Sequence, residues 1–145
     1  MTVYDRILAA IDVSPGSPDD FLDRTSRFAK MTGGTVHLLH VARGHVVVQD
    51  ITAGSGLGVL DGDDDVATGE HTMVQGAVDR LAAAGVAVHG EFINATEHDI
   101  AAVILQRAEE LDADLIVLGH PHHRGSTVAE QVIRGHPARS VLLVP

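Results

Sequence analysis

Three uninterrupted apolar runs constrain this chain more than any other feature: Ile7 to Ile11, Leu115 to Leu118 and Val141 to Val144. A strand with one wet face alternates apolar and polar residues. A continuous run marks a strand buried on both faces, as in a parallel sheet covered by helices. Such a sheet needs helical crossovers, and the intervening segments supply the pattern for them.

The first strand is predicted over Tyr4 to Asp12. Ser17 caps a helix that carries Pro18, Asp19 and Asp20 in its first turn; all favour a helix start. Phe21, Leu22, Thr25, Phe28 and Ala29 fall on one helical face, and Gly33-Gly34 ends the helix. Thr35 to Ala42 reads as the second strand. Gly44 to Glu70 holds six of the 15 glycines and the acidic run Asp61 to Asp65. It is expected to be a long mobile loop, at about 43–69, within a single domain of residues 1–145. Val46-Val47-Val48 either packs locally or extends the strand.

A helix resumes near Gly69, with Val74, Val78, Leu81 and Ala82 on one face and Gly85 closing it. Val86 to Ile93 reads as the third strand. Thr96-Glu97-His98-Asp99 resembles a capping box and opens a helix lined by Ile100, Ile104, Ala108 and Leu111. Leu115 to Leu118, a short helix from Thr127 to Arg134, and Ser140 to Val144 complete the pattern. The expected fold is a doubly wound, Rossmann-like α/β domain with five parallel strands and helices on both faces.

Composition excludes several functions. There is no cysteine, so disulfides, cysteine-ligated zinc and cysteine nucleophiles are ruled out. The formal charge of -10, with Lys30 the only lysine, argues against nucleic acid or an anionic membrane as partner. No apolar run approaches the roughly 20 residues that span a bilayer. MTVYDRILAAID is unlike a signal peptide, having a short apolar run with an acid on each side, and a cytoplasmic location is expected.

In a doubly wound sheet, ligands bind beyond the C-terminal strand ends. Asp12, Val41 and Gly119 stand at such ends. After Gly119 come His120, His122 and His123, then Gly125-Ser126-Thr127 directly before a helix. Unpaired N–H groups and the helix dipole make that start an anion seat.

Two separated segments carry a resemblance. RILAAIDVSPGSPDDFLDRTSRFAKMTGGTVHLLHVA, and DADLIVLG with GSTVAEQVIRGHPARSVLLVP, resemble the opening and closing of the universal stress protein family. That resemblance implies a stress-response regulator. In the nucleotide-binding branch it also implies ATP, ADP or AMP, with or without Mg, as ligand. Asp12 matches the acid at the nucleoside end, with Ala10 and Ser14 beside it in the same candidate set. Val41 matches the position whose backbone meets adenine. The phosphates fall to Gly119, Gly125, Ser126 and Thr127, with His120 and His122 in the same loop. The branch's second glycine is replaced by His122 and its third position by Val132; the Gly-Ser pair comes seven residues early. The shortened loop has fewer N–H donors, and His122 puts a side chain where the backbone should approach the ligand.

The resemblance also implies a homodimer through the last strand, Ser140 to Val144. A second reading follows: a dimeric interaction module of the same fold that binds no nucleotide. A third is metal binding by His120, His122 and His123, since histidine is the commonest metal ligand. No carboxylate within the loop completes such a set. Asp61, Asp63 and Asp65 have the odd spacing of a calcium loop, but Val66 and Thr72 occupy its glycine and glutamate places. A phosphoacceptor receiver needs an acidic pair after the first strand and a lysine after the last, and neither is present. There is no G-x-S-x-G elbow, and no base and nucleophile are paired for turnover; at most slow ATP hydrolysis is expected.

Overall fold

A computed structural model describes residues 4–11, 19–43, 48–51, 65–95, 100–119, 128–135 and 138–144. The elements run β1 (Arg6–Ala10), α1 (Asp19–Thr32), β2 (Thr35–Arg43), β3 (Val48–Ile51), α2 (Asp65–Ala83), β4 (Val88–Ala95), α3 (Ile100–Glu110), β5 (Leu115–Gly119), α4 (Val128–Arg134) and β6 (Ser140–Val144). They form one sheet in the order β3-β4-β2-β1-β5-β6. Five strands are parallel, as the apolar runs require. β3 is an addition: it lies antiparallel to β4, pairing Val48 with Ile93 and Ile51 with Gly90.

The segment expected to be loop over 43–69 is therefore shorter. β3 takes four of its residues, and α2 begins at Asp65, before the predicted start at Gly69. An acid at the first helical position suits the positive end of the helix dipole. The expected caps at Ser17 and at Thr96 to Asp99 lie outside the described residues.

The first two apolar runs are split between two cores, because successive strand residues face opposite sides; the third, in β6 at the sheet's end, is not dry on both faces as expected, since only Val144 is buried and Leu143 is exposed. Ile7, Ala9, Leu38 and Val117 pack with Leu22 and Ala29 of α1 and with Val74, Val78 and Leu81 of α2. Leu8, Leu39 and Ile116 pack with Ile104 and Ala108 of α3 and with Ala129 and Val132 of α4. Seven of these strand residues are at most 1% exposed, so the central strands are dry on both faces. α1 ends where Gly33 takes a φ of 74°, its N–H donating to the Ala29 carbonyl at 2.8 Å.

Gly76 is a contrasting glycine. It sits mid-helix in α2, exposed, with nothing within 4 Å of the place a Cβ would take. Gly76→Ala is expected to raise stability by about 0.5–1 kcal/mol, because alanine removes backbone entropy from the unfolded chain without a clash. Urea denaturation reads this as a higher midpoint at unchanged slope.

On the α3 side of the sheet a charged group is buried. Glu91 of β4 is 5% exposed. Arg107 of α3 donates to its Oε2 at 2.7 Å, and His37 Nε2 stands 3.7 Å from the same oxygen. Arg107 also binds Glu110 one turn on. Burial alone lowers the Arg107 pKa, but Glu110 and Glu91 outweigh it and hold the guanidinium above its ordinary value. The hydrogen bond from Arg107, then that from Gln106, hold the Glu110 carboxyl below the usual range. The ionised form of Glu110 is the bound one. Its contribution is present above the ordinary carboxylate pKa and fades as pH falls through the folded-state value. NMR titration of its carboxyl carbon should show a midpoint below that of an unfolded peptide, returning upward in Arg107→Ala.

Candidate functional site

From β1 the chain winds outward through β2 to β4, then crosses back to β5 on the other side of β1. The strand order thus reverses between β1 and β5. In open α/β sheets the helices on either side of such a reversal part, leaving a crevice beyond the C-terminal strand ends.

Register places three candidate residues around that crevice. Ala10 is the last residue of β1 and pairs with Leu39 of β2 and Leu118 of β5. Gly119 lies one residue past this level on β5, and Val41 two past it on β2. The three share one rim. Ala10 and Val41 are half-buried and Gly119 is exposed. A Cβ at Gly119 would meet only Phe21 Cδ2, at an ordinary 3.9 Å. The described surroundings therefore leave room for a side chain, and do not themselves require glycine. Asp12, Ser14, His120, His122, His123, Gly125, Ser126 and Thr127 lie outside the described residues, as does His136.

His40, which precedes Val41 and is expected from that place to approach the rim, makes a contact that the sequence does not announce. Its side chain is 4% exposed, with Nδ1 3.0 Å from the Ile11 carbonyl oxygen and its ring on Phe92 at a centroid distance of 5.3 Å. The one available signal was its place in the Leu-His-Val stretch. The hydrogen bond itself depends on the stagger of β1 against β2, which no residue pattern encodes. His37 stands beside the buried Glu91 on the α3 face.

A cavity of about 350 Å³ lies at the opposite end of the sheet, with Arg6, Thr35, His37, His89 and Leu111 among its lining residues. These belong to strand beginnings and to the end of α3, so the cavity is separate from the rim. Among the described residues, no three His, Asp or Glu side chains are arranged to hold a metal ion. No helix there is long and apolar enough to cross a membrane.

The fold and its rim define a doubly wound α/β protein whose strand order reverses between β1 and β5. The sequence profile of the universal stress protein family matches residues 3–145, and this chain belongs to that family. No curated protein sequence gives a significant match. Among solved structures, a universal stress family protein from Burkholderia pseudomallei is 25% identical with a TM-score of 0.69, over 98% of this chain and 96% of that one. The universal stress protein from Archaeoglobus fulgidus, solved in complex with dAMP, is 21% identical with a TM-score of 0.67, over 99% of both chains. A universal stress protein in complex with cAMP is 18% identical with a TM-score of 0.69, over 97% of this chain and 96% of that one.

Proposed function

We propose that this chain is a stress-response regulator that binds an adenine nucleotide at the rim formed by β1, β2 and β5. The observation that carries this is the convergence of Ala10, Val41 and Gly119 at the point where strand order reverses. Family membership and the dAMP and cAMP complexes of similar folds support it further. In this reading Asp12 and Val41 hold the nucleoside, and the start of α4 holds the phosphates with or without Mg. The protein acts by binding, with at most slow hydrolysis.

The test is the melting temperature of metal-stripped protein with and without Mg·ATP. At 100 times Kd, binding adds about 2.7 kcal/mol, a rise of several degrees in a domain of this size. The rise should saturate and should be lost in Asp12→Ala.

A second reading, a dimeric interaction module without nucleotide, draws on His122 in the place of a glycine and on β6. Among the described strands, β6 is hydrogen-bonded on one side only, to β5, and its Leu143 is 36% exposed. A homodimer through β6 fits either reading. No thermal shift with ATP, ADP or AMP favours the second.

A further inference from the structure

We propose that His40 is a positioning residue for the rim, fixing the end of β1 at Ile11 against the strand that carries Val41. The inference rests on the nucleotide site proposed above.

β1 ends at Ala10, yet Ile11 is still tied to β2 on both sides of its peptide. Its N–H donates to the Leu39 carbonyl at 2.8 Å. Its own carbonyl lies 3.0 Å from His40 Nδ1. A carbonyl only accepts, so Nδ1 carries the proton and donates. The donor is a side chain rather than a flexible loop. The His40 ring is 4% exposed and packed on Phe92, its register partner in β4. Three neighbouring strands are thereby joined at one level: β4 through Phe92, β2 through His40 and β1 through Ile11.

The position of this tie gives it consequence. Asp12, assigned to the nucleoside end, follows Ile11 directly in the chain. On the other strand, His40 is bonded through the chain to Val41, the residue assigned to the base. One imidazole therefore ties the end of β1 to the strand that carries Val41. Removing the donor takes from the Ile11 carbonyl the side chain that holds it to β2.

Two substitutions separate the donor from the ring. His40→Phe keeps a flat ring on Phe92 and donates nothing. His40→Asn loses the ring, but its amide nitrogen sits two bonds from Cβ, where Nδ1 sits. Mg·ATP affinity is measured by calorimetry well below each melting temperature. His40→Phe is expected to weaken binding about tenfold, and His40→Asn to stay within about threefold of wild type. Amide exchange at Ile11 should rise about tenfold in His40→Phe relative to Ala9, and much less in His40→Asn. Unchanged affinity in His40→Phe, or equal losses in both variants, overturns the inference while leaving the nucleotide site intact. Failure of the wild-type protein to bind Mg·ATP overturns the proposed function, and the inference with it. If neither variant folds, nitrogen-15 NMR of the wild-type imidazole decides: a proton on Nδ1 is expected, and a neutral ring protonated only on Nε2 overturns the tie.

Discussion

Arg107→Ala is expected to lower folding stability by about 3 kcal/mol, the lower end of the range for removing one partner of a buried ion pair. Glu91 is the reason. Its carboxylate is 6% exposed, and Arg107 is the one side chain within hydrogen-bond distance of it among the described residues. His37 Nε2, at 3.7 Å, is too far to replace that bond. Deletion of Arg107 thus strands a charge in a nearly dry place. The lower end of the range applies because the Arg107 side chain is itself 24% exposed, which lets water reach part of the gap. Guanidinium denaturation measures the loss. The paired substitution Glu91→Leu with Arg107→Leu removes both charges and should cost far less than Arg107→Ala alone. Equal losses in the two proteins would sink this account.

Gly34→Ala is expected to cost about 3 kcal/mol, the upper part of the usual overpacking range, and to lower the melting temperature by about 10 °C. A Cβ at this position would overlap the Tyr4 carbonyl oxygen and stand 3.0 Å from Ile7 Cδ1. The first obstacle is backbone, so no rotamer change relieves it. β1 would have to shift away from β2 at their shared starting level, where Thr35 N–H donates to the Asp5 carbonyl at 2.8 Å. Thermal scans of wild type, Gly34→Ala and Gly76→Ala in one buffer give a direct contrast, with shifts of opposite sign. A melting temperature within two degrees of wild type for Gly34→Ala would disprove the clash.

The parallel core was legible because its physical cause is local. Strands dry on both faces must read as continuous apolar runs, and Ile7 to Ile11 and Leu115 to Leu118 do. The helical faces were legible for the same reason: Leu22, Thr25 and Ala29 are buried as their spacing requires. β3 was not legible. Val48–Ile51 is Val-Gln-Asp-Ile, too short and mixed to announce a strand, and it is held by β4, which lies far along the chain. The buried charges were hidden too, since the contact of Glu91 with Arg107 exists only once α3 is laid over β4. At the rim, Ala10, Val41 and Gly119 came together because strand ends follow from strand assignments. The tie between His40 and Ile11 depends on register, which single-strand patterns do not contain.

The central place of β1 has a consequence for synthesis. β1 is made before the other described strands, yet it lies between β2 and β5. Its partner on one side emerges at once; its partner on the other is about a hundred residues away. At ribosomal speeds of roughly 5–20 residues per second, one backbone edge of this apolar strand stays open for about 5–20 s. For that interval the nascent chain presents an unpaired strand of Ile, Leu and Ala, a surface on which chaperones and neighbouring chains compete. The domain closes only when Leu115–Gly119 leaves the exit tunnel and slots in beside β1. Translation pauses after this segment would favour folding, and pauses before it would prolong the exposed state.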